Sequence, residues 1–301
     1  MKFDICLMNP PYGNGGIDVK FLDKSLEISN AVCTVQPSIF LFGKNKESRS
    51  LLYMNNVKNI INEYGGIIEN VDGCKYFDAA PPQDLAIITV NKNQKDNIKL
   101  IGYSSTVSEF NNISDIRKYG YNENLLALEN KLKSLFEKDN FWNHIVCGPR
   151  AEGHLGKKEN NNKIDWNPNP NSIIVSLTSV RGNRLGNDDF YTAIPANLKP
   201  VLYKNYKSNK GADSPWYYIV CPSFEYANNL IDYLKSDFVR MCLYFTKVST
   251  ELDLKTIPWE DFNKKCTDKE LYKRYKISND EEKLIQQILP DYYGIRKQSL
   301  K

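Results

Sequence analysis

The chain has 301 residues, of which 41% are hydrophobic and 25% are charged, and its formal net charge is +4 at pH 7. This composition is typical of a soluble globular protein, and the length allows a sizeable core and predicts two domains. The weak positive charge permits a nucleic-acid partner without requiring one.

The cysteine and histidine content argues against a metal site. Seven cysteines are scattered along the chain without a CxxC pair, which disfavours both a zinc site and a disulfide framework. His144 and His154 are the only histidines, which disfavours histidine-based catalysis. The sequence has no signal peptide, and no apolar run approaches the roughly 18 residues of a membrane span. We therefore expect a cytoplasmic protein with reduced thiols, no metal and no membrane association.

The first predicted strand ends in a rigid corner. An apolar run from Ile5 to Met8 leads directly into Asn9-Pro10-Pro11-Tyr12. Consecutive prolines fix two φ angles and remove two backbone donors, so the chain must leave the strand in an extended turn. In open α/β sheets, ligands bind at this carboxyl edge. Because Asn-Pro and Pro-Pro are common turn dipeptides, an ordinary strand-to-loop turn is the alternative.

Asn9-Pro10-Pro11-Tyr12 resembles the catalytic Asn-Pro-Pro-Tyr motif of S-adenosylmethionine-dependent amino-methyltransferases, above all the DNA adenine-N6 enzymes. The flanking Phe3-Asp4 and the following Gly13 are also similar to that family's pattern. The resemblance extends to the methylase part of single-chain restriction–modification enzymes and covers most of residues 1–105, and the remainder only loosely. It implies an α/β fold in which residues 1–105 form the catalytic half of a Rossmann-like methyltransferase sheet.

The resemblance also implies roles for the corner residues. The side-chain oxygen of Asn9 and the backbone carbonyl of Pro10 would accept hydrogen bonds from the exocyclic amine of adenine. No N–H lies beside that carbonyl, because Pro11 follows it. Tyr12 would stack on the base after it is flipped out of the duplex, and such stacking contributes about 1–3 kcal/mol.

Helices and strands alternate after the corner, which predicts a mostly parallel sheet. Asp18 is predicted to cap the first helix, and Gly65-Gly66 to end the second. Gln36 and Ser38 would face the active-site edge. The predicted elements are a helix over 18–30 with Phe21, Leu22, Leu26 and Ile28 on one face, a strand over 31–38, a helix over 47–63, and strands over 67–71 and 85–90.

The loop over residues 74–83 contains a second candidate site residue. The resembled family places an aromatic at about this point, on the opposite side of the flipped base from Tyr12. We choose Phe77, with Tyr76 as the alternative. An aromatic that merely anchors this loop on the core is an equally good interpretation.

Residues 106–255 are predicted to form a mixed α+β target-recognition domain that binds DNA. The tract from 147 to 215 is rich in loops and contains basic and aromatic residues, which suits contacts with phosphates and base edges. The candidates are Arg181, Arg184, Lys157 and Lys158, although exposed lysines also follow from AT-biased coding. Residues 256–301 are predicted to form a C-terminal helical segment that packs structurally. Further predicted elements are helices over 123–139, 223–247, 268–275 and 278–289, and strands over 173–177 and 216–220.

The resembled family binds its cofactor with a glycine-rich motif, usually Phe-x-Gly-x-Gly, that precedes Asn-Pro-Pro-Tyr. Only eight residues precede Asn9, and no equivalent occurs between residues 100 and 301. We therefore expect a second chain to supply this motif for S-adenosylmethionine, and the cofactor-binding residues are unknown.

The preferred interpretation is an adenine-specific DNA N6-methyltransferase of a restriction–modification system, or the catalytic and target-recognition subunit of a split one, acting on double-stranded DNA. Two alternatives remain open. One is a methyltransferase-derived module that binds nucleic acid or protein without catalysis. The other is an enzyme that methylates an RNA base or a glutamine amide.

Overall fold

The computed structural model describes residues 2–12, 16–42, 51–71, 85–102, 107–117, 123–135, 139–148, 163–177, 194, 198–206, 217–246 and 254–289. The protein is of the mixed α/β class. Its chain divides into two compact units, Met1–Glu123 and Asn124–Lys301. In these described ranges, no helix has the length and apolar character needed to cross a membrane.

A six-stranded mixed sheet with the strand order β1-β2-β4-β3-β5-β6 forms the first unit. The parallel pair β1–β2 is connected through the first helix, α1, as expected for a crossover between parallel neighbours. The strands are β1 Phe3–Met8, β2 Ser29–Pro37, β3 Gly66–Val71, β4 Leu85–Asn91, β5 Ile98–Ile101 and β6 Val107–Phe110. The helices are α1 Ile17–Ile28, α2 Ile39–Phe42 and α3 Leu51–Tyr64.

The expectation of a mostly parallel sheet is wrong. β4 runs antiparallel to both of its neighbours, β2 and β3, and β5 runs antiparallel to β6. Only the β1–β2 and β3–β5 pairs are parallel among the described strands. The apolar pattern of β4 is the same for a buried strand of either direction, so the sequence could not distinguish the two.

Helices α1 and α3 bury one face of this sheet. Met8, Thr34, Ile88 and Ile68 form one cross-strand row on that face, because each is paired with the next in register. Phe21 is 47% exposed, so its predicted place on the buried face is wrong. Val19 takes that place, since it lies three residues before Leu22 and seven before Leu26. The core here includes Val19, Leu22, Leu26, Val32, Val57, Ile61, Ile68, Ile88 and Val90.

The opposite face of the sheet is exposed along β1. Side chains alternate between the faces of a strand, and Cys6 and Met8 pack against the core described above. Phe3, Ile5 and Leu7 therefore point the other way, and they are 51%, 57% and 71% exposed. β1 is also an edge strand, since it pairs only with β2 among the described strands.

A four-stranded sheet and six helices occur in the described part of the chain from Glu123 onward. The strand order is β7-β10-β8-β9, and every pair is antiparallel. The strands are β7 Val146–Cys147, β8 Ile173–Ser176, β9 Val201–Leu202 and β10 Tyr217–Cys221. The helices are α4 Glu123–Lys133, α5 Phe141–His144, α6 Phe224–Leu234, α7 Asp237–Thr246, α8 Asp268–Arg274 and α9 Asn279–Ile288.

The helix predicted over 223–247 is two helices, because Ser236 interrupts it. The Ser236 hydroxyl accepts a hydrogen bond from the Val239 N–H at 3.3 Å and so caps the start of α7. The two closing helices are confirmed, and each begins with a capping box, Thr267 with Glu270 and Ser278 with Glu281.

The first unit extends past residue 105, where the sequence predicted the first segment to end. β6 follows that position and pairs with β5, so it belongs to the same sheet. The six cysteines in the described ranges are free thiols.

Gly65 fixes the turn between α3 and β3. Its φ angle is +77°, and a Cβ atom there would lie 2.0 Å from the Asp96 carbonyl oxygen. We expect Gly65→Ala to lower the free energy of unfolding by more than about 2 kcal/mol, through both backbone strain and the clash. Urea denaturation followed by circular dichroism measures this loss. Asn59→Ala, at an exposed position of α3, is the control and should change stability by less than about 0.5 kcal/mol.

Candidate functional site

The candidate site lies at the carboxyl edge of the parallel pair β1–β2. Met8, the last residue of β1, pairs with Thr34 of β2, so the corner that follows lies beside the end of β2. Pro10 is buried, whereas Asn9 is exposed. The predicted end of the first strand before Asn9 is confirmed. Pro10 thus anchors the corner on the sheet, and the amide side chain of Asn9 stays accessible to solvent.

The Tyr12 hydroxyl holds the corner against β2. Its oxygen lies 2.9 Å from the Val35 carbonyl oxygen and 2.7 Å from Asn9 Oδ1. The ring is half-buried. Because the hydroxyl is bonded at the sheet, the ring has little freedom to turn, and it forms a fixed aromatic surface beside Asn9.

One phenolic hydrogen cannot fully satisfy both of these acceptors. Turning the Asn9 amide by 180° removes the conflict, since Nδ2 then donates to the Tyr12 oxygen and Tyr12 donates to the Val35 carbonyl. This orientation leaves Asn9 Oδ1 directed away from the tyrosine as an acceptor. The corner can therefore offer one side-chain oxygen, held in place, to an N–H donor from outside.

Asp18 is a buried carboxylate near Tyr12. Only 5% of Asp18 is exposed. Burial raises its pKa, against the backbone N–H groups of Asp18 and Val19, which lower it. Burial, and then the charge of Asp18, raise the pKa of Tyr12 above its ordinary value. Tyr12 is consequently a neutral phenol at physiological pH and acts as a hydrogen-bond donor.

The predicted cap of α1 is wrong. The residue at the N-cap position is Gly16, with φ +66°, and it makes no side-chain cap. Asp18 lies in the first turn instead, where its charge is stabilised by the helix N-terminus. Sequence reasoning treated Asp18 as a cap and missed its burial. No local signal could have revealed its neighbour, since the proximity to Tyr12 depends on the path of the chain after the corner.

Buried polar side chains lie on the core face at the same end of β2. Gln36 is 0% exposed and Thr34 is 1% exposed. In the described ranges, neither Gln36 amide atom nor the Thr34 hydroxyl has a hydrogen-bond partner. An unpaired buried polar group costs about 1–3 kcal/mol, so these groups are retained against a stability cost. Ser38, predicted with Gln36 to face the edge, lies just after β2 and is also buried.

The edge that carries Asn9 also receives the ends of β3 and β4. Pro37, at the end of β2, pairs with Leu85, and Leu85 pairs with Val71. Val71 and Leu85 are the described residues that flank the segment containing Phe77. Phe77 and its alternative Tyr76 lie outside the described residues, as do Arg181, Arg184, Lys157 and Lys158.

The corner presents groups that suit recognition of an amine. Across the described ranges, no group of three or more His, Cys, Asp or Glu side chains could hold a metal ion. The corner provides an accessible amide oxygen, a fixed aromatic ring and a backbone carbonyl, that of Pro10, with no adjacent N–H donor. Together these can accept two hydrogen bonds from an NH₂ group and contact a planar ring.

Neither the models of known protein families nor the curated proteins contain a match to this chain.

Tyr12→Phe removes only the hydroxyl that joins the corner to β2. We expect it to lower the free energy of unfolding by about 1 kcal/mol, the usual net contribution of one hydrogen bond. Tyr53→Phe is the matched control, because the Tyr53 ring packs under Lys20 Nζ at 5.4 Å and its hydroxyl has no hydrogen bond with any described residue. Urea denaturation of the two variants checks this, and equal losses would contradict a specific role for the Tyr12 hydroxyl.

Proposed function

We propose that the protein is an adenine-specific DNA N6-methyltransferase of a restriction–modification system, or the catalytic and target-recognition subunit of a split one. The observation that carries the proposal is the set of contacts made by Tyr12 with Asn9 and Val35 at the carboxyl edge of two parallel strands. Ligands of open α/β sheets bind at such an edge. Double-stranded DNA is the proposed substrate.

In the proposed reaction, the corner activates a weak nucleophile, the exocyclic amine of adenine. The adenine amine has its lone pair delocalised into the ring. Hydrogen bonds from its two N–H groups to Asn9 Oδ1 and the Pro10 carbonyl would make the nitrogen more tetrahedral and direct its lone pair outward. Tyr12 would stack on the flipped base and exclude water from one of its faces. Positioning and preorganised acceptors of this kind supply a large part of enzymatic rate enhancement.

The methyl donor we propose is S-adenosylmethionine, and this chain alone does not offer a complete site for it. Its 301 residues contain no Phe-x-Gly-x-Gly sequence. The residues of this chain are proposed to bind and orient the amine, and the groups that hold the donor are proposed to come from a second chain.

The exposed side of β1 supports a partner of this kind. Five of the six residues of β1 are apolar, a pattern typical of a strand that is covered on both faces. Yet Phe3, Ile5 and Leu7 are exposed and β1 has a free edge in the described sheet. A unit that adds a strand to this edge and a helix to this face would bury them, directly beside Asn9.

Other residues complete the proposal. Phe77, or alternatively Tyr76, is proposed to contact the flipped base opposite Tyr12. Support comes from the flanking residues Val71 and Leu85, which lie at the same edge of the sheet as Asn9. Arg181, Arg184, Lys157 and Lys158 are proposed to contact DNA.

The decisive variant is Asn9→Ala. We expect methyl transfer from tritiated S-adenosylmethionine to unmethylated duplex DNA, assayed with the partner chain present, to fall at least about 100-fold, because the amine loses one acceptor. DNA binding should be unchanged. Asn55→Ala, an exposed asparagine of α3, is the matched control and should retain full activity. Full activity of Asn9→Ala would instead favour a module that binds without catalysis, and transfer to RNA or protein alone would change the substrate class.

The binding of S-adenosylmethionine to this chain alone tests the proposed dependence on a partner chain. We expect isothermal titration calorimetry of this chain alone with S-adenosylmethionine to show no binding below about millimolar concentrations, since the glycine-rich half is supplied elsewhere. Micromolar binding by the isolated chain would contradict the partner proposal and leave the role of Asn9 unaffected.

A further inference from the structure

A basic surface cavity lies in the second unit, and its lining includes none of the residues assigned above. Its volume is about 380 Å³. Four cationic side chains and one carboxylate line it, together with a cysteine, so the formal charge of the lining is +3. The lining residues are Lys264, Lys265, Cys266, Glu270, Lys273 and Arg274.

The carboxylates around this cavity are engaged in holding the local fold. Glu270 accepts hydrogen bonds from the Thr267 N–H at 3.0 Å and from its hydroxyl at 2.9 Å, and these bonds lower the pKa of Glu270. Asp268 accepts from the N–H groups at the start of α7, at 3.1 and 2.9 Å. Glu260 is buried and forms an ion pair with Arg274. These three carboxylates are thus already engaged in contacts within the local fold.

The lysines of the cavity remain available for a ligand. Neither Lys264 nor Lys273 forms an ion pair with any residue in the described ranges, although Lys264 is near enough to Glu270 to lower its pKa. Lys265 does pair with Asp232, at 2.9 Å, but both side chains are at least half exposed, and such a pair contributes less than about 1 kcal/mol. A stronger anion could therefore recruit three ammonium groups.

The lining favours a phosphate over other anions and a nucleic-acid backbone over a free nucleotide. Lysine ammonium groups bind phosphate as point charges with several donors. Burial raises the pKa of the Cys266 thiol, so it stays neutral and does not oppose an anion. None of the six lining residues is aromatic, so a base or sugar would find no stacking surface here. Lys269 and Lys276, which are close to the lining residues in sequence, are also exposed.

We propose that this cavity binds a backbone phosphate of a nucleic acid. The choice of DNA as that nucleic acid rests on the proposed function, whereas the phosphate site itself does not. A phosphate contact carries no sequence information, so this site would fix the position of the protein on the duplex.

The test compares two double variants of the full chain that lose the same charge. Lys264→Gln/Lys273→Gln removes the unpaired cavity lysines, and Lys24→Gln/Lys283→Gln removes two lysines whose side chains are 64% and 71% exposed elsewhere. Binding to a fluorescein-labelled duplex is measured by fluorescence anisotropy between 50 and 200 mM KCl. Each lost phosphate contact should reduce the slope of log K against log [salt] by about 0.9. We expect a reduction of about 0.9 to 1.8 for the cavity variant, several-fold weaker binding, and little change of slope for the control.

Additional variants and measurements distinguish the possible outcomes. Lys264→Arg/Lys273→Arg should restore the wild-type slope, since it keeps both charges, and thermal denaturation by circular dichroism should show that all variants are folded. Equal slopes for the two glutamine variants, or no DNA binding by the wild-type chain, would overturn the proposal. Calorimetric binding of inorganic phosphate that the cavity variant loses, without any change in DNA slope, would also overturn it in favour of a free-anion site. No methyl transfer is measured, so failure of this inference is distinguishable from failure of the proposed function.

Discussion

The candidate site depends on the parallel pairing of β1 with β2. This pairing brings the carboxyl ends of both strands to one edge, which places the proline corner next to the last residues of β2. A parallel pair requires a crossover connection, and α1 provides it immediately after the corner. The same geometry brings Asp18, in the first turn of α1, near Tyr12. The corner, its anchor and the buried carboxylate are thus consequences of one strand–helix–strand unit.

The number of hydrogen bonds that Tyr12 and Asn9 can each make then determines which acceptor the corner can offer to a ligand. When the Asn9 amide is turned by 180°, the Val35 carbonyl takes the single phenolic hydrogen of Tyr12 and the tyrosine oxygen accepts from the Asn9 amide nitrogen. In this orientation the bonds to Tyr12 hold the Asn9 oxygen in place. A raised pKa of Tyr12 preserves the arrangement, because an ionised phenolate could not donate to a carbonyl. An accessible but oriented acceptor costs little reorganisation when a ligand arrives, which is the basis of preorganised recognition.

Local features of the sequence predicted the corner and the closing helices well. Two prolines restrict the backbone whatever surrounds them, and the capping boxes at Thr267 and Ser278 are formed by residues three apart. The predictions that were wrong depended on contacts between parts of the chain that are distant in sequence. The direction of β4 depends on which strands become neighbours, and the burial of Asp18 depends on a contact outside its helix. Leu22 and Leu26 are buried as predicted, but Val19 shares their face in place of Phe21, and apolar periodicity alone cannot choose between these two residues.

The unpaired polar groups at the end of β2 and the exposed apolar groups of β1 are two departures from a fully satisfied fold. Gln36 and Thr34 are buried without partners, whereas Phe3, Ile5 and Leu7 are exposed without cover. A fold selected for stability alone would replace the first set by apolar residues and the second by polar ones. Both sets lie on the two strands that position Asn9 and Tyr12, one on each face of the sheet. Such local conflict between sequence and structure is characteristic of functional sites. These unpaired and uncovered groups lower stability on the two strands that carry the candidate site.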